Sequence, residues 1–328
     1  MICHIVHYRQ PQTSSAAGHW GVLLDNRIYP LPRDYASTAD FLLHGRDTAY
    51  EVQLQAQQGK LDTALNTQTV ELLSPVTTPC RVLCQGANYR QHMIDSGMDP
   101  DSKSYNMFFN KSSASVCAGG SDIVRPQHVQ LLDYEVELGL VIGAQVNREE
   151  TITDNNIHNY VAGIVIGNDI SARDVQVPQM QFFKGKSYRT FCPVGPVLCL
   201  LEKDDMQYLH DLNLELRVNG QIRQQDSTAN LVYKPAETLS EFTQVSDLDV
   251  GDLILTGTPH GCAMQLPPAG LVKLIQLLPE QTKWKFFVKG QKRNGRYLQP
   301  GDSVTTTIRS SDGVIDLGTQ QNRIRQAS

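Results

Sequence analysis

Three carboxylates in one apolar segment are the residues whose types and spacing could do chemistry. Asp133, Glu135 and Glu137 alternate through LLDYEVELGLVIG (131–143). Because successive side chains of a β-strand point to opposite faces, these carboxylates would share one face of a strand. If they were buried without partners, they would repel one another, and a divalent cation would remove that repulsion. Oxygen ligands of this kind select a hard ion such as Mg²⁺, Mn²⁺ or Ca²⁺.

The same pattern has a simpler explanation, which is an exposed strand face with solvated acids. A fourth carboxylate, Asp169, follows the apolar run in YVAGIVIGNDISARDVQ (160–176). Strand ends frame clefts and commonly carry functional residues. Asp169 could equally cap a helix formed by SARDVQ, since aspartate is favoured at that position. The residues alone leave both roles open.

The elements that must position these carboxylates are predicted to be mainly strands with irregular crossings and few helices. This pattern favours a mixed, β-rich α+β fold over a doubly wound one. DVGDLIL (249–255) and QPGDSVT (299–305) each place Gly-Asp before a strand, which predicts a positive φ followed by a capping side chain. The candidate strands are RVLCQG, YEVELGLVIG, YVAGIVIGND, PVLCL, LNLELRVNGQ, DLILTG and SVTTTI.

Residues 1–75 are predicted to form a small N-terminal domain or cap. HWGVLLDNRIYPL (19–31) predicts a hairpin with Asp25 and Asn26 at its turn. The stretch 34–73 is rich in Ala, Gln and Leu and is expected to be mostly helical. Four residues in it fall at roughly helical spacing: Phe41, Leu42, Tyr50 and Leu54.

The second predicted unit is a catalytic domain over residues 80–328. SPVTTP (74–79) is the expected linker between the two units. Residues 266–299 separate one predicted strand from the last Gly-Asp turn, and we expect an extra hairpin or a surface excursion there.

Composition limits the classes of partner and location. The 328 residues are 40% hydrophobic and 19% charged, which is typical of a globular protein. A net charge of −5 without a basic patch argues against nucleic acid as a partner. No run of 18 apolar residues and no secretory signal is visible, so we expect neither a membrane span nor secretion. The seven irregularly spaced cysteines fit reduced thiols in a cytoplasmic protein.

Four motifs, in chain order, resemble those of the fumarylacetoacetate hydrolase superfamily, which includes acylpyruvases, oxaloacetate decarboxylases and diketo-acid hydrolases. The resemblance covers roughly residues 80–328. It implies a mixed β-roll, a site in a cleft under a mobile lid, and a homodimer. The motifs are DYEVELGLVIG, GNDISARDVQ, FFKGKSYRTFCPVGPVL and GDLILTGTPHGCAMQLPP.

The resemblance also implies a set of metal ligands. The two glutamates of the Glu-x-Glu strand and the aspartate of the Asn-Asp segment correspond to Glu135, Glu137 and Asp169. The implied cofactor is Mg²⁺ or Mn²⁺, with Ca²⁺ as a further hard ion. Some members supply another carboxylate where this chain has Gln85, so we expect three protein ligands here.

The lid motif of the family, Asn-Tyr-x-x-His-x-x-Glu, corresponds to residues 88–95. The resemblance makes His92 the base that activates water, with the residue three positions later orienting it. Here that residue is Asp95, where some members have glutamate. The shorter side chain leaves open whether the His92–Asp95 dyad forms.

Further site residues follow from the resemblance. Lys186 would stabilise a developing enolate or oxyanion, and Gln176 would contact the substrate or the attacking water. Thr258 would contact a substrate carboxylate, and Lys111 would lie near the pocket mouth. Arg173 is a further candidate for the substrate-binding set and is also expected to form a structural ion pair with Asp174.

The first functional hypothesis is metal-dependent hydrolysis of a C–C bond in an acylpyruvate-like 1,3-diketo acid of the fumarylacetoacetate or fumarylpyruvate type. The metal would polarise a carbonyl and stabilise the enolate that forms when the bond breaks. The alternative is a decarboxylase or an isomerase/tautomerase of a 2-keto acid, which needs the same metal but no positioned water. A metal-binding protein without turnover is the third hypothesis.

Overall fold

The computed structural model describes residues 2–11, 18–103, 105–265 and 278–328. The N-terminal region contributes two helices and five strands to this part of the chain. The elements are β1 (Cys3–Arg9), β2 (His19–Leu24), β3 (Arg27–Pro30), α1 (Thr38–His44), α2 (Arg46–Gln57), β4 (Leu65–Asn66) and β5 (Glu71–Leu72).

The middle of the chain supplies the elements around the predicted carboxylates. In order, they are β6 (Val82–Gly86), α3 (Arg90–Asp95), β7 (Met107–Lys111), β8 (Val116–Ala118), β9 (Ile123–Arg125), β10 (Leu132–Asp133), β11 (Val136–Ile142), β12 (Val161–Asn168), β13 (Ser171–Ala172), α4 (Arg173–Gln179), α5 (Phe182–Lys186), β14 (Cys192–Val194) and β15 (Leu198–Leu200).

The last third of the chain completes the fold with two helices and five strands in the described residues. These are β16 (Leu212–Val218), β17 (Gln221–Ser227), α6 (Pro235–Val245), β18 (Leu253–Leu255), α7 (Glu280–Lys292), β19 (Ser303–Ser310) and β20 (Asp316–Gln326).

Two large sheets and a two-stranded sheet of β10 and β13 organise these elements in the described residues. The larger has 13 strands in the described residues, and its main path runs β4-β3-β2-β1-β15-β12-β11-β18-β6-β7. The smaller follows the order β17-β16-β19-β20-β9. Mixed sheets accompanied by helices confirm the predicted β-rich α+β fold class.

The central strands β11 and β12 are covered on both faces. Leu138 and Leu140 join the hydrophobic cluster that includes the β16 residues of the smaller sheet. Val141, which points to the opposite side, belongs to a second cluster with Trp20 and Phe41 of the N-terminal region. Cover on both faces explains why these two strands are almost continuously apolar.

The N-terminal region confirms some predictions and corrects others. The hairpin of β2 and β3 turns at Asp25 and Asn26, whose φ angles are both positive. The region extends the larger sheet, because β1 pairs with β15. The prediction of a mostly helical 34–73 is wrong after α2, where short strands β4 and β5 follow. Leu54 is 48% exposed and does not belong to the apolar face of α2.

Both Gly-Asp turns form as predicted. Gly251 and Gly301 have φ values of 89° and 100°. In each turn the aspartate accepts a hydrogen bond from the amide three residues earlier, at 2.8 Å for Asp252 and 2.7 Å for Asp302. The two turns therefore start β18 and β19 in the same way.

Part of the predicted excursion over 266–299 lies outside the described residues, since 266–277 are not covered. Where the structure does describe it, the helix α7 is present and not the hairpin, which was one of the two expected alternatives. No helix within the described ranges is long and apolar enough to cross a membrane.

Replacing Phe41 by alanine tests how much the N-terminal hydrophobic cluster contributes to stability. Phe41 is fully buried and stacks on Trp20 with 5.0 Å between ring centroids, so we expect the free energy of unfolding to fall by about 3–5 kcal/mol. The half-exposed Leu54 offers the matched control, and Leu54→Ala should change the free energy of unfolding by about 0.5 kcal/mol or less. Urea denaturation measures the free energy of unfolding of both variants. Equal losses in the two would contradict a stabilising role of the Phe41–Trp20 contact.

Candidate metal and active site

Glu135, Glu137 and Asp169 converge where the central strands β11 and β12 meet. The antiparallel register pairs Val136 with Asn168, and the amide of Asp169 donates to the carbonyl of Glu135 at 2.8 Å. One oxygen from each carboxylate lies within 4.8 Å of the others, and all three residues are buried. A single cation could therefore contact all three, as the sequence predicts.

Three buried cations surround these carboxylates. The Lys186 ammonium contacts both Glu135 and Asp169, and the Arg173 guanidinium contacts Glu135. The Lys111 ammonium contacts Asp169 and donates to the carbonyl of Phe191 at 3.0 Å. The side chain of Lys111 is fully buried, so its predicted position at the pocket mouth is wrong.

Asp133, the fourth buried carboxylate, is separate from the metal triad. The predicted continuous strand is interrupted between β10 and β11, and Asp133 is not among the carboxylates whose oxygens lie within 4.8 Å of one another. Its Oδ2 accepts from Nε of Arg173 at 2.8 Å. The expected ion pair between Arg173 and Asp174 is also wrong, because Asp174 instead accepts from the amide of Gln130 at 2.8 Å.

Glu137 is the one of the four buried carboxylates that has no cationic side chain among the described residues as a partner. Four carboxylates face three cations in this buried cluster, and Glu137 forms no ion pair with any described residue. Among the described residues, the amide of Gly257 donates a hydrogen bond to Glu137 at 2.8 Å. Burial, together with the charges of Asp169 and Glu135, raises the pKa of Glu137 well above its ordinary value. This excess of negative charge at an all-oxygen cluster fits a hard divalent cation.

Glu135 and Lys186 have the opposite electrostatic balance. Burial acts to raise the pKa of Glu135, but Arg173 and Lys186 outweigh it and hold that pKa below its ordinary value. For Lys186, burial acts to lower the pKa, and the charges of Asp169 and Glu135 outweigh it and raise the pKa. Glu135 is therefore ionised and Lys186 is protonated at neutral pH.

The glycine at 257 shapes the loop after β18 that reaches Glu137. Its φ is +92°, and a Cβ there would lie 2.8 Å from Cβ of Asn88. A larger side chain would therefore strain the backbone and push Asn88 away. The loop brings the Gly257 amide to Glu137 because this position is glycine.

The carboxylates form the base of a cavity of about 180 Å³. His92, Gln176 and Lys186 line it, as do Arg173 and Thr258. Larger clefts of the described chain, such as the one of about 400 Å³ beside Arg81, do not contain the triad. Apolar residues on the wall of the cavity include Met98, Met107, Phe109, Phe182 and Met264.

His92 lies on the short helix α3 and faces this cavity, but the predicted dyad with Asp95 does not form. The Asp95 carboxylate instead accepts from Nε2 of Gln91 at 2.9 Å and contacts Nδ1 of His260. Burial lowers the pKa of His92, so the imidazole is neutral at pH 7. His92 is thus a neutral imidazole at the cavity, with no carboxylate of the described residues bonded to it.

The predicted polar residues at the cavity differ in how many of their hydrogen-bonding groups are left for a ligand. Gln176 accepts from Nη1 of Arg173 at 2.8 Å, which leaves its Nε2 to donate to a ligand. The Thr258 hydroxyl donates to the carbonyl of Val136 at 2.9 Å and accepts from Gln224 at 2.8 Å. The hydroxyl of Thr258 is already used within the protein.

Two residues near the site had no sequence signal that set them apart. Gln224 lies on β17 among polar neighbours, yet it is 1% exposed and holds both Thr258 and the carbonyl of Pro259. Cys262 places its sulfur 3.9 Å from Oε1 of Glu135. Only the burial of a glutamine in a polar strand, which depends on the tertiary structure, distinguishes Gln224.

Comparison with known proteins places these features in a family. The sequence profile described as fumarylacetoacetate (FAA) hydrolase C-terminal matches residues 81–325. The chain belongs to the fumarylacetoacetate hydrolase family. All four motifs of the sequence lie within the matched range, and the family uses divalent metals.

Two relatives within this family carry the same name. The chain is 39% identical over 202 residues to the oxaloacetate tautomerase YisK of Bacillus subtilis, a match that covers 61% of this chain and 65% of that protein. It is 34% identical over 271 residues to the mitochondrial oxaloacetate tautomerase Fahd2a of Rattus norvegicus, covering 81% of this chain and 83% of the relative.

A solved structure shares the fold of the whole chain. The fumarylacetoacetate hydrolase of the psychrophilic Exiguobacterium antarcticum superposes with a TM-score of 0.73 at 28% identity. The match covers 99% of this chain and 100% of that one. The chain is therefore similar to proteins of this family that are named for two different reactions.

Glu137→Gln tests the unbalanced carboxylate. Because the folded-state pKa of Glu137 is raised, its contribution to stability is fully present below the ordinary glutamate pKa and is lost as pH rises through the raised value. Glutamine removes the charge and still accepts from Gly257. Without metal, we expect E137Q to be at least as stable as the wild type at pH 7, as measured by thermal unfolding in EDTA.

The same pair of proteins tests the metal ligand. A ligand at about 100 times its Kd adds about 2.7 kcal/mol to stability, so Mn²⁺ should raise the Tm of the wild type by several degrees. E137Q should show a much smaller rise. A variant that Mn²⁺ stabilises as strongly as the wild type would contradict Glu137 as a ligand.

Proposed function

We propose that this chain is a metal-dependent tautomerase of a small 2-keto dicarboxylic acid of the oxaloacetate type. The observation that carries the proposal is the position of Asp95, which contacts His260 and not His92. A hydrolase needs a base that orients and activates water, and within the part of the chain that the structure describes no carboxylate is bonded to His92 to assist it. Keto–enol exchange needs only a proton acceptor beside a stabilised enolate.

The names of the two relatives support the same reaction. Both are oxaloacetate tautomerases, at 39% and 34% identity. C–C hydrolysis of an acylpyruvate remains the second candidate, because the structural relative from Exiguobacterium antarcticum is named a fumarylacetoacetate hydrolase. We therefore favour tautomerisation over the C–C hydrolysis that the resemblance of the motifs implies.

Each site residue has a role in this proposal. Glu135, Glu137 and Asp169 would hold Mg²⁺ or Mn²⁺, which supplies Lewis acidity toward the carboxylate and keto oxygens of the substrate. The protonated Lys186 stabilises negative charge on the enolate oxygen, and Nε2 of Gln176 donates a hydrogen bond to a substrate oxygen.

Proton transfer falls to His92 because its imidazole is neutral and faces the cavity. It accepts the proton from C3 of the keto acid as the C–H electrons form the C2–C3 double bond. It then returns the proton to the O2 oxygen, which gives the enol. No water enters the reaction, and no C–C bond breaks.

The direct test supplies enol-oxaloacetate to the purified protein with Mn²⁺. We expect the enol absorbance to fall faster than in buffer, with the keto product trapped by malate dehydrogenase, and EDTA should abolish the acceleration. Pyruvate formed from oxaloacetate would indicate decarboxylation. Cleavage of acetylpyruvate, with oxaloacetate exchange at the uncatalysed rate, would overturn the proposal in favour of the hydrolase.

His92→Ala should lower kcat by about 10²- to 10⁴-fold and change KM little, because it removes a proton acceptor. Since burial lowers the pKa of His92, the wild-type kcat should stay constant as pH falls from 7 to the ordinary histidine value of about 6.5. It should decline at more acidic pH, where the imidazole becomes protonated. Stopped-flow loss of enol absorbance gives both profiles.

His44, which pairs with Asp40 on α1, provides the control histidine. His44→Ala should keep the wild-type kcat and pH profile. If His92→Ala were as active as His44→Ala, His92 would not be the proton carrier.

We also propose that the chain forms a homodimer, as is expected of this family. We also propose a keto-acid substrate as its partner, and no role for nucleic acid or membrane lipid.

A further inference from the structure

Asp133 is a fully buried carboxylate that neither the metal triad nor the proposed proton transfer uses. Four donors converge on it from three parts of the chain. Its Oδ1 accepts from the amides of Tyr134 at 2.9 Å and Ala263 at 2.7 Å. Its Oδ2 accepts from the amide of Met264 at 3.1 Å and from Nε of Arg173 at 2.8 Å.

Arg173 connects Asp133 to two residues of the site, Glu135 and Gln176. Each nitrogen of its guanidinium has a different partner: Nε donates to Asp133, Nη1 donates to Gln176 and Nη2 contacts Glu135. A guanidinium is planar and rigid, so fixing Nε also fixes the directions of the two other nitrogens. The orientation of Glu135 and Gln176 thus depends on the contact at Nε.

We infer that Asp133 is a positioning residue, which acts through Arg173 to hold the metal ligand Glu135 and the substrate-facing Gln176 in place. Through the amides of Ala263 and Met264 it also fixes the loop that places Met264 on the cavity wall. The inference rests on the metal site of the proposed function, but it does not depend on which reaction follows.

The charge of Asp133 matters as much as its geometry. Arg173 is buried between two carboxylates, and Asp133 accounts for part of its compensation. If Asp133 became neutral, Arg173 would interact more strongly with Glu135 and would compete with a divalent cation for that carboxylate. Neutralising Asp133 should therefore weaken metal binding.

Asp133→Asn makes the test nearly isosteric. Each carboxylate oxygen now accepts from two donors, so the amide NH₂ of asparagine faces two donors in either orientation, and two contacts become donor against donor. Loss of such a buried partner also lowers stability, and stability alone would not distinguish a positioning role from a structural one.

The chain contains a matched control in Asp252. Asp252 is also buried and accepts from Nε of an arginine, Arg81, at 2.9 Å. It accepts from two amides as well, those of Arg81 at 3.0 Å and Asp249 at 2.8 Å. It does not line the cavity that contains the triad. Asp252→Asn should thus reproduce the structural cost of Asp133→Asn without its effect on the site.

The experiment measures Mn²⁺ affinity by calorimetry and the Tm in EDTA for the wild type and both variants. We expect both variants to lose Tm to a similar extent. Residues that support metal ligands typically contribute 10- to 100-fold to metal affinity, so Asp133→Asn should weaken Mn²⁺ binding by about that factor. Asp252→Asn should bind Mn²⁺ as the wild type does.

The kinetic constants give a second readout. With saturating Mn²⁺, Asp133→Asn should still show a lowered kcat for enol-oxaloacetate, because Gln176 is no longer held by Arg173. Equal Mn²⁺ affinity and equal kcat in the two variants would overturn the positioning role and leave the proposed function intact. A wild type that binds no Mn²⁺ would overturn the metal site and the inference together.

Discussion

The site depends on one electrostatic constraint, the burial of four carboxylates against three cations. Lys111, Arg173 and Lys186 offset Asp133, Glu135 and Asp169 through direct contacts. Glu137 is left with an amide hydrogen bond and no cation among the described residues. Ionised carboxylates are costly to bury, and the remaining charge is what a divalent ion would neutralise. The buried cluster thus has one more carboxylate than it has cationic side chains among the described residues.

The fold keeps this cluster in place because the strands that carry it are confined on both faces. β11 and β12 lie in the middle of the larger sheet, with one apolar cluster on each side. Their antiparallel register alone brings Asp169 beside Glu135. The helices α3 and α4 and the loop after β18 then add His92, Arg173 and Gly257 around a rigid base. Rigid strands are suited to carrying metal ligands, and the shorter elements carry the groups to which the proposed function assigns contacts with a substrate.

The sequence predicts the hairpin and both Gly-Asp turns, because each depends on a local backbone requirement. Strand alternation suggests Asp133, Glu135 and Glu137 as one face, and only the resemblance to the family selects Asp169 with the two glutamates, the three residues that the structure brings together. The sequence does not predict side-chain partners across elements. The spacing of His92 and Asp95 suggests a dyad, but Asp95 turns to His260, 165 positions later in the chain. Likewise, Asp133 does not join the group of Glu135, Glu137 and Asp169 but accepts a hydrogen bond from Arg173. Such choices are decided by packing between segments distant in sequence, which single-sequence patterns do not contain.

The pairing of β1 with β15 has a consequence for the integrity of the sheet. β15 also pairs with β12, the strand that leads to Asp169, so β1 is the next strand outward from the core. Without it, β15 would present bare amides and carbonyls along an apolar strand, Leu198–Leu200, that is fully buried here. Uncovered edges of this kind recruit strands from other copies and promote aggregation. By pairing with β15, β1 covers an edge of the larger sheet that would otherwise be open to strands of other copies.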